Sequence, residues 1–365
     1  MIPLCVPEIR GNEWTYIKDC LDTNWVSSAG AYVDQFETNF AAYLDVRRAV
    51  VTMNGTAALQ LALLALGIGS GDEVIVSSMT FISPVNAIRY VGAEPVFADV
   101  QEDTWVMDAK QIESLITPKT KAILPVHIYG QPVNMTEVMA VAKKHHLYVI
   151  EDATESLGAE WNGRKTGTIG DIGCFSFNGN KLITTGAGGM LVTNSEPIGE
   201  RAKYLSTQTK TIGENGSFYH QEVGYNFRLP NVLAAMGCAQ LEKVDDYLAA
   251  KRAHAAKYNE WLADIPGLIL PAAEQGFQNA YWLYSILVTP EYPLTRDQVI
   301  ALLHEKGIQS RPFFQPVHQM PPYENCRTSK MMKATLDASR WGMNLPSSVG
   351  ITTEDIERVC MVLYR

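Results

Sequence analysis

Between Arg48 and Asn194, short apolar runs alternate with helical patterns, and this constrains the chain more than any other feature. Ala49-Val50-Val51-Thr52-Met53 is β-rich, and Thr56 to Leu66 reads as a buried helix. The strand Glu73 to Ser77 leads to a helix from about Pro84 to Tyr90. Pro95 to Ala98 is the next strand, then a helix near Ala109 to Ile116. Lys121 to His127 reads as a strand, Glu137 to His146 as a helix and Leu147 to Ile150 as a further strand. Such alternation predicts an α/β fold with a mostly parallel sheet between helices. The runs lack polar alternation, as strands buried on both faces do. Ligands of such sheets sit at the carboxyl ends of the strands, so the residues that follow each run are the ones to inspect.

Beyond this region, Leu229 to Ile265 reads as long helices. Tyr281 to Val288 is a strand, Thr295 opens a helix with Gln298 completing a capping box, and Gly307 ends it. A last helix runs from about Glu354 to Leu363. A chain of 365 residues exceeds what one core organises, so a large lobe over residues 1–245, with the N-terminal segment, and a smaller α+β lobe over 246–365 are expected.

Thirty-nine acidic against thirty basic residues leave a net charge of −9, which argues against a nucleic-acid partner. No apolar run reaches the roughly 20 residues of a membrane span. Met1 to Pro7 lacks the basic-then-apolar pattern of a signal peptide, and a cytoplasmic location is expected. The six cysteines show no C-x-x-C spacing and read as buried reduced thiols, with no metal site. No G-x-x-x-x-G-K-[ST], H-E-x-x-H or G-x-S-x-G is present. Gly67 to Gly71 lies between a helix and a strand, the wrong order for a dinucleotide fingerprint, and reads as a turn.

Three segments carry candidate chemistry. Asn54-Gly55-Thr56-Ala57-Ala58 stands where a strand turns into a helix, and its free N–H groups and the Thr56 hydroxyl suit a phosphate. Taken alone, a plain N-cap is the simpler reading. Asp152 follows the strand Leu147 to Ile150, where a carboxylate can hold a protonated ring nitrogen, a metal, or merely cap a loop. Lys181 ends Ser176-Phe177-Asn178-Gly179-Asn180-Lys181 and precedes the small residues Thr184 to Gly189. Most lysines are solvated surface charges, but this one is embedded in a loop that permits close backbone approach. Together the three suit pyridoxal 5'-phosphate (PLP), which needs a lysine amine, an acid for its pyridine nitrogen and a phosphate cup. The cup would be Gly55, Thr56 and Ser176. Phe81, after another strand, either stacks on the ring or packs in the core.

With these residues in view, the chain resembles the PLP-dependent nucleotide-sugar aminotransferases of fold type I, the DegT-like family. The resemblance rests on Leu21 to Ser28, Asn54 to Leu59, Gly71 to Val76, Pro125 to Gly130, Glu151 to Ala153, Phe175 to Gly189, Gly224 to Arg228 and Arg311 to His318. It implies a seven-stranded-type sheet in the large lobe. It implies Lys181 as the Schiff-base lysine and Asp152 as the acid on the ring nitrogen. Glu155 falls where the family usually carries Gln, beside the ring hydroxyl. Gly55, Thr56, Ala57 and Ser176 fall at the phosphate, with Phe81 on the ring. Asn226 matches a residue that reaches the cofactor of a neighbouring subunit, which implies a homodimer with shared sites. Ser27, Asn180, Arg228, Phe314 and His318 match positions on the nucleotide-sugar side. Similarity to bacillosamine, legionaminate and perosamine enzymes implies amination at C4 of a nucleotide-linked 4-keto-6-deoxy sugar. L-Glutamate is the expected donor and a bacterial surface glycan such as O-antigen the destination. The alternatives are a 3-aminotransferase, a dehydratase, or a nucleotide-sugar binding or regulatory relative; intact Lys181 disfavours the dehydratase.

Overall fold

Five of the apolar runs, joined by two strands that the sequence reading did not name, form one sheet of five-residue strands: β1 (Arg48–Thr52), β2 (Glu73–Ser77), β3 (Glu94–Ala98), β4 (Thr120–Leu124), β5 (Tyr148–Asp152), β6 (Ile172–Ser176) and β7 (Gly189–Thr193). A computed structural model describes residues 1–272 and 276–364. The order across the sheet is β1-β7-β6-β5-β4-β2-β3, and only β7 runs against its neighbours. This is the mostly parallel α/β sheet that the alternation of runs predicts.

Successive residues of a strand enter different apolar layers, which explains the missing polar alternation. Val50 packs with Leu59 and Ile75 on one face, whereas Ala49 and Val51 pack with Phe36, Phe40 and Tyr247 on the other. Two strand limits differ from the sequence reading. The run Lys121 to His127 stops at Leu124, because Pro125 has no N–H to continue the ladder and Val126 makes only an isolated bridge. Conversely β5 runs on to Asp152, whose N–H donates to Pro125 O at 2.9 Å. The loop at Asp152 is therefore strand, and the carboxylate is held by sheet geometry.

The second half begins with helices Asn231–Leu241 and Val244–Leu262. A four-stranded antiparallel sheet follows, in the order Leu268–Ile269, Tyr284–Val288, Gly342–Leu345, Arg311–Pro312. Its central strand starts at Tyr284 rather than Tyr281, because Tyr281 takes a left-handed φ of 48°. The helix Arg296–Glu305 carries the capping box of Thr295 and Gln298, and Gly307 follows at φ 73°.

With a lobe boundary near residue 245, many segments cross it: Trp282, Leu283, Phe313 and Ala334 join the core of the large sheet, and Phe277–Gln278 pairs with Glu160–Trp161. The helix Val244–Leu262 puts Val244, Tyr247 and Leu248 in the core below the large sheet, and Ala255, Tyr258 and Leu262 in the C-terminal core. The N-terminal tip joins the C-terminal lobe. Ile2 N donates to Gly307 O at 2.8 Å, and Leu4 O accepts from Ser347 N at 2.7 Å. At this junction Lys251 is buried. Its ammonium donates to Trp282 O at 2.8 Å and to Ser347 O, with Cys5 Sγ at 3.8 Å. Burial lowers its pKa, and no carboxylate pairs with it among the described residues.

Lys251→Ala leaves two buried carbonyls without that donor and opens a void. A loss of about 2–5 kcal/mol is expected, read as a lower denaturant midpoint. An unchanged midpoint would show the junction to be dispensable.

Candidate active site

The carboxyl ends of β1, β2, β5 and β6 surround a cavity of about 330 Å³. Its first wall is the helix Gly55–Ala65. Asn54 caps it in an extended conformation, its side chain accepting from Ala57 N at 2.8 Å. The Gly55 and Thr56 amides belong to the open first turn, where a helix supplies no carbonyl partner. The Thr56 hydroxyl donates to Ser83 Oγ at 2.9 Å, and Ser176, ending β6, stands opposite. A Cβ on Gly55 would lie 2.9 Å from Ser176 Cβ and 3.0 Å from Thr154 Cγ2. Glycine is what lets the helix end and the strand end meet. The cap is Asn54, whose side chain takes the Ala57 amide, while the Gly55 and Thr56 amides stay open. Ala57 lies outside the lining, its amide taken by Asn54.

Asp152 forms part of the cavity and is 3% exposed. Its Oδ1 accepts from Thr154 N at 3.1 Å, and no cation pairs with it among the described residues. Burial raises its pKa, against the opposing effects of the Thr154 hydrogen bonds and the Lys181 charge. A buried carboxylate short of a cation is a receptor for one.

Its neighbour Glu151 points to the opposite face and is fully engaged. Glu151 accepts from the amides of Gly167 at 2.8 Å, Ile169 at 2.7 Å and Gly170 at 2.6 Å. It also lies 3.0 Å from His127 Nε2. Since His127 Nδ1 accepts from Val133 N at 3.0 Å, the ring proton is on Nε2 and donates to Glu151.

Lys181 stands on the loop between β6 and β7. The Phe177 amide donates to Gly188 O and the Thr185 amide to Phe177 O, each at 2.9 Å, which closes the loop. Lys181 Nζ lies 3.5 Å from Glu155 Oε1 and 3.8 Å above the Trp282 ring. The Trp282 indole donates to Asn180 O at 2.6 Å, and Cys5 Sγ donates to the same oxygen at 3.3 Å. Glu155 Oε2 accepts from Tyr129 N at 2.8 Å. Burial raises the Glu155 pKa, and the Lys181 charge opposes this. Lys181 is therefore no surface charge.

Phe81 and Phe314 line the mouth, ring centroids 5.7 Å apart. Phe81 is 55% exposed, which excludes core packing. The cavity thus gathers Gly55, Thr56, Phe81, Asp152, Glu155, Ser176, Asn180, Lys181 and Phe314.

Four other candidates lie apart from it within one chain. His318 Nδ1 meets Ser78 Oγ at 2.6 Å behind the β2 end, and burial lowers its pKa. Arg228 is tied to Glu37 at 2.6 Å, and Glu37 also holds Lys203. Ser27 accepts from Asn231 N through its carbonyl at a separate surface hollow beside Trp25. Asn226 is exposed and bridges Thr207. Sequence reading also missed cavity residues. Ser83, Asn178, Trp282 and Arg311 line it. Arg311 was in view as part of a motif without a role; Trp282 comes from the other lobe and carries no local signal.

Residues 7–364 match the DegT/DnrJ/EryC1/StrS aminotransferase family. The chain belongs to this family. It is 43% identical to the GDP-perosamine synthase of Caulobacter vibrioides, over 99% of this chain and 97% of that protein. With the GDP-perosamine synthase of Escherichia coli O157:H7 it shares 42%, over 98% and 96%. The aminotransferase from Psychrobacter cryohalolentis superposes with a TM-score of 0.93 at 31% identity, covering 98% of this chain and 97% of that one. The protein is a PLP-dependent nucleotide-sugar aminotransferase. Its cavity fits that cofactor. Asp152 has no cation partner, the helix end at Gly55 turns its open first-turn amides to the cavity, and among the described residues Lys181 is the one amine lining it.

Gly55→Ala is expected to part the helix end from Ser176 and weaken PLP retention by about 10-fold or more on dialysis, since it spoils the anion cup. The circular dichroism should stay that of the parent. Parental retention would remove Gly55 from the cup.

Proposed function

We propose that the enzyme transfers an amino group from L-glutamate to C4 of a nucleotide-linked 4-keto-6-deoxy sugar destined for a surface glycan. Perosamine-type relatives at 42–43% identity over nearly the whole chain support this reading and favour GDP as the nucleotide. The observation that carries it is the single cavity in which Lys181, Asp152 and the Gly55 helix end meet.

Bound PLP supplies an aldehyde that condenses with amines and a ring that withdraws electrons from the adjacent carbon. Asp152 would hold the proton on the ring nitrogen, its own charge then matched. Gly55, Thr56 and Ser176 would hold the phosphate through amides and hydroxyls. Glu155 would sit at the ring hydroxyl while its carboxylate keeps the Lys181 amine in place. Lys181 has two tasks: holding the cofactor between turnovers and moving a proton at the reacting carbon. Trp282 beneath the amine restricts its travel and excludes water from one side. Phe81 and Phe314 give the mouth apolar walls that suit a 6-deoxy carbon.

We further propose a homodimer whose sites each take Asn226 from the partner. The hairpin of Lys210–Ile212 and Phe218–His220 is fully exposed and carries Ile212, Phe218 and Tyr219, a surface suited to a second copy. Ser27 and Arg228 lie outside the single-chain cavity, and a partner's site is where they would act.

Lys181→Ala should lower turnover by orders of magnitude, because one amine serves both the covalent and the proton-transfer steps. The assay follows glutamate-dependent amination across GDP-, UDP- and dTDP-linked 4-keto-6-deoxy sugars. Amination of a 3-keto sugar instead would overturn the C4 reading, and near-parental turnover of the variant would overturn the lysine.

Mixing Lys181→Ala chains with Asn226→Ala chains tests the shared site. One site of a mixed dimer then carries both lesions and the other neither, so activity returns. No recovery, with mixed dimers shown to form and each parent variant inactive, would place each site within one chain.

A further inference from the structure

Two cationic side chains line the cavity, Lys181 and Arg311. Lys181 is engaged by Glu155 and Trp282. Arg311 is not: no hydrogen bond or ion pair holds its guanidinium among the described residues. It stands on the edge strand Arg311–Pro312, whose pairing Arg311↔Asn344 and Pro312↔Met343 fixes its backbone. The Phe314 amide donates to Tyr129 Oη at 3.1 Å, which fixes the next turn of chain. An unpaired guanidinium on a rigid strand at the rim of a cavity holding two buried carboxylates is a receptor for an anion.

We propose that Arg311 binds the α-carboxylate of the amino donor. This rests on the aminotransferase reading above and names the group that reads one of its two substrates. The donor must bring its amine into the cavity, and its carboxylate sits on the carbon that carries that amine. The carboxylate therefore enters the cavity too, where Asp152 is matched by the cofactor ring and Glu155 already pairs with Lys181. Among the described residues Arg311 is the one lining cation left to receive it. The sugar's diphosphate is attached at C1, across the ring from C4, and stays outside while C4 reaches the same position. Arg311 thus serves the donor half of the cycle and is spared in the acceptor half. An arginine suits this because its planar fork meets a carboxylate through two parallel hydrogen bonds.

The test uses holoenzyme of the parent, Arg311→Gln and Arg311→Lys. Binding of 2-methylglutamate, which has no α-hydrogen to lose, is measured by calorimetry. The keto-sugar half-reaction is measured separately from the aminated cofactor form. Arg311→Gln should bind 2-methylglutamate on the order of 10- to 100-fold more weakly, with Arg311→Lys between it and the parent. The keto-sugar half-reaction should stay within about twofold. Unchanged binding of 2-methylglutamate overturns the proposal, as does an equal or larger loss in the keto-sugar half-reaction. If Arg311→Gln does not hold PLP, Arg311→Lys decides by the same two measurements. If the parent ignores glutamate and takes another amino acid, the α-methyl analogue of that donor replaces 2-methylglutamate. Weaker binding of it by Arg311→Gln then sinks the glutamate reading and keeps Arg311 as the carboxylate receptor.

Discussion

Two adjacent carboxylates end β5, and the alternation of a strand sends them to opposite faces. Glu151 finds three amides and the His127 imidazole, which satisfies it inside the protein. Asp152 finds one amide and an open cavity. Most of the site follows from this asymmetry. The amides at Gly167 to Gly170 and His127 lock the strand end, so the Asp152 carboxylate is fixed without a cation of its own. A buried charge left in that state is tolerable only if something positive arrives. In the proposed function the protonated ring of the cofactor would supply it, which would make cofactor binding and the electrostatics of the strand end one problem.

The second lobe is part of the same arrangement. Trp282 lies beneath Lys181 and pins Asn180, while Lys251 holds the Trp282 carbonyl from behind. Cys5 reaches Asn180 from the N-terminal tip. Segments from both chain ends and the middle therefore meet within one hydrogen-bonded chain next to the reactive amine. Arg311 and Phe314 add the outer rim. Asp152 and Ser176 of the large sheet thus line the same cavity as Trp282, Arg311 and Phe314 from later in the chain.

Local chemistry made much of this legible. The Asn54-Gly55-Thr56 turn, the carboxylate after an apolar run and the lysine in a small-residue loop each stand in contiguous sequence, and the cavity contains all three. Ala57 shows the limit of that reading: belonging to the turn does not free its amide, because Asn54 takes it. Arg228 shows another, since Glu37 lies 191 residues away and no local pattern announces that pair. His318 is likewise diverted by Ser78. Strand limits failed where Pro125 interrupted the ladder and where Asp152 gained a partner in Pro125 O from the neighbouring strand.

The sequence by itself determined the period and order of the elements, hence the sheet type. Those depend on side chains near in sequence, through apolar spacing, caps and turns. Tertiary structure alone decided which charges remain unpaired. Glu151 and Asp152 are chemically alike in the sequence, and so are Arg228 and Arg311. One of each pair is satisfied within the fold and the other faces the cavity. The physical reason is that a charge's role depends on the partners within hydrogen-bonding distance, and here those partners come from other elements of the fold: His127 and the Gly167 to Gly170 loop for Glu151, and the helix residue Glu37 for Arg228.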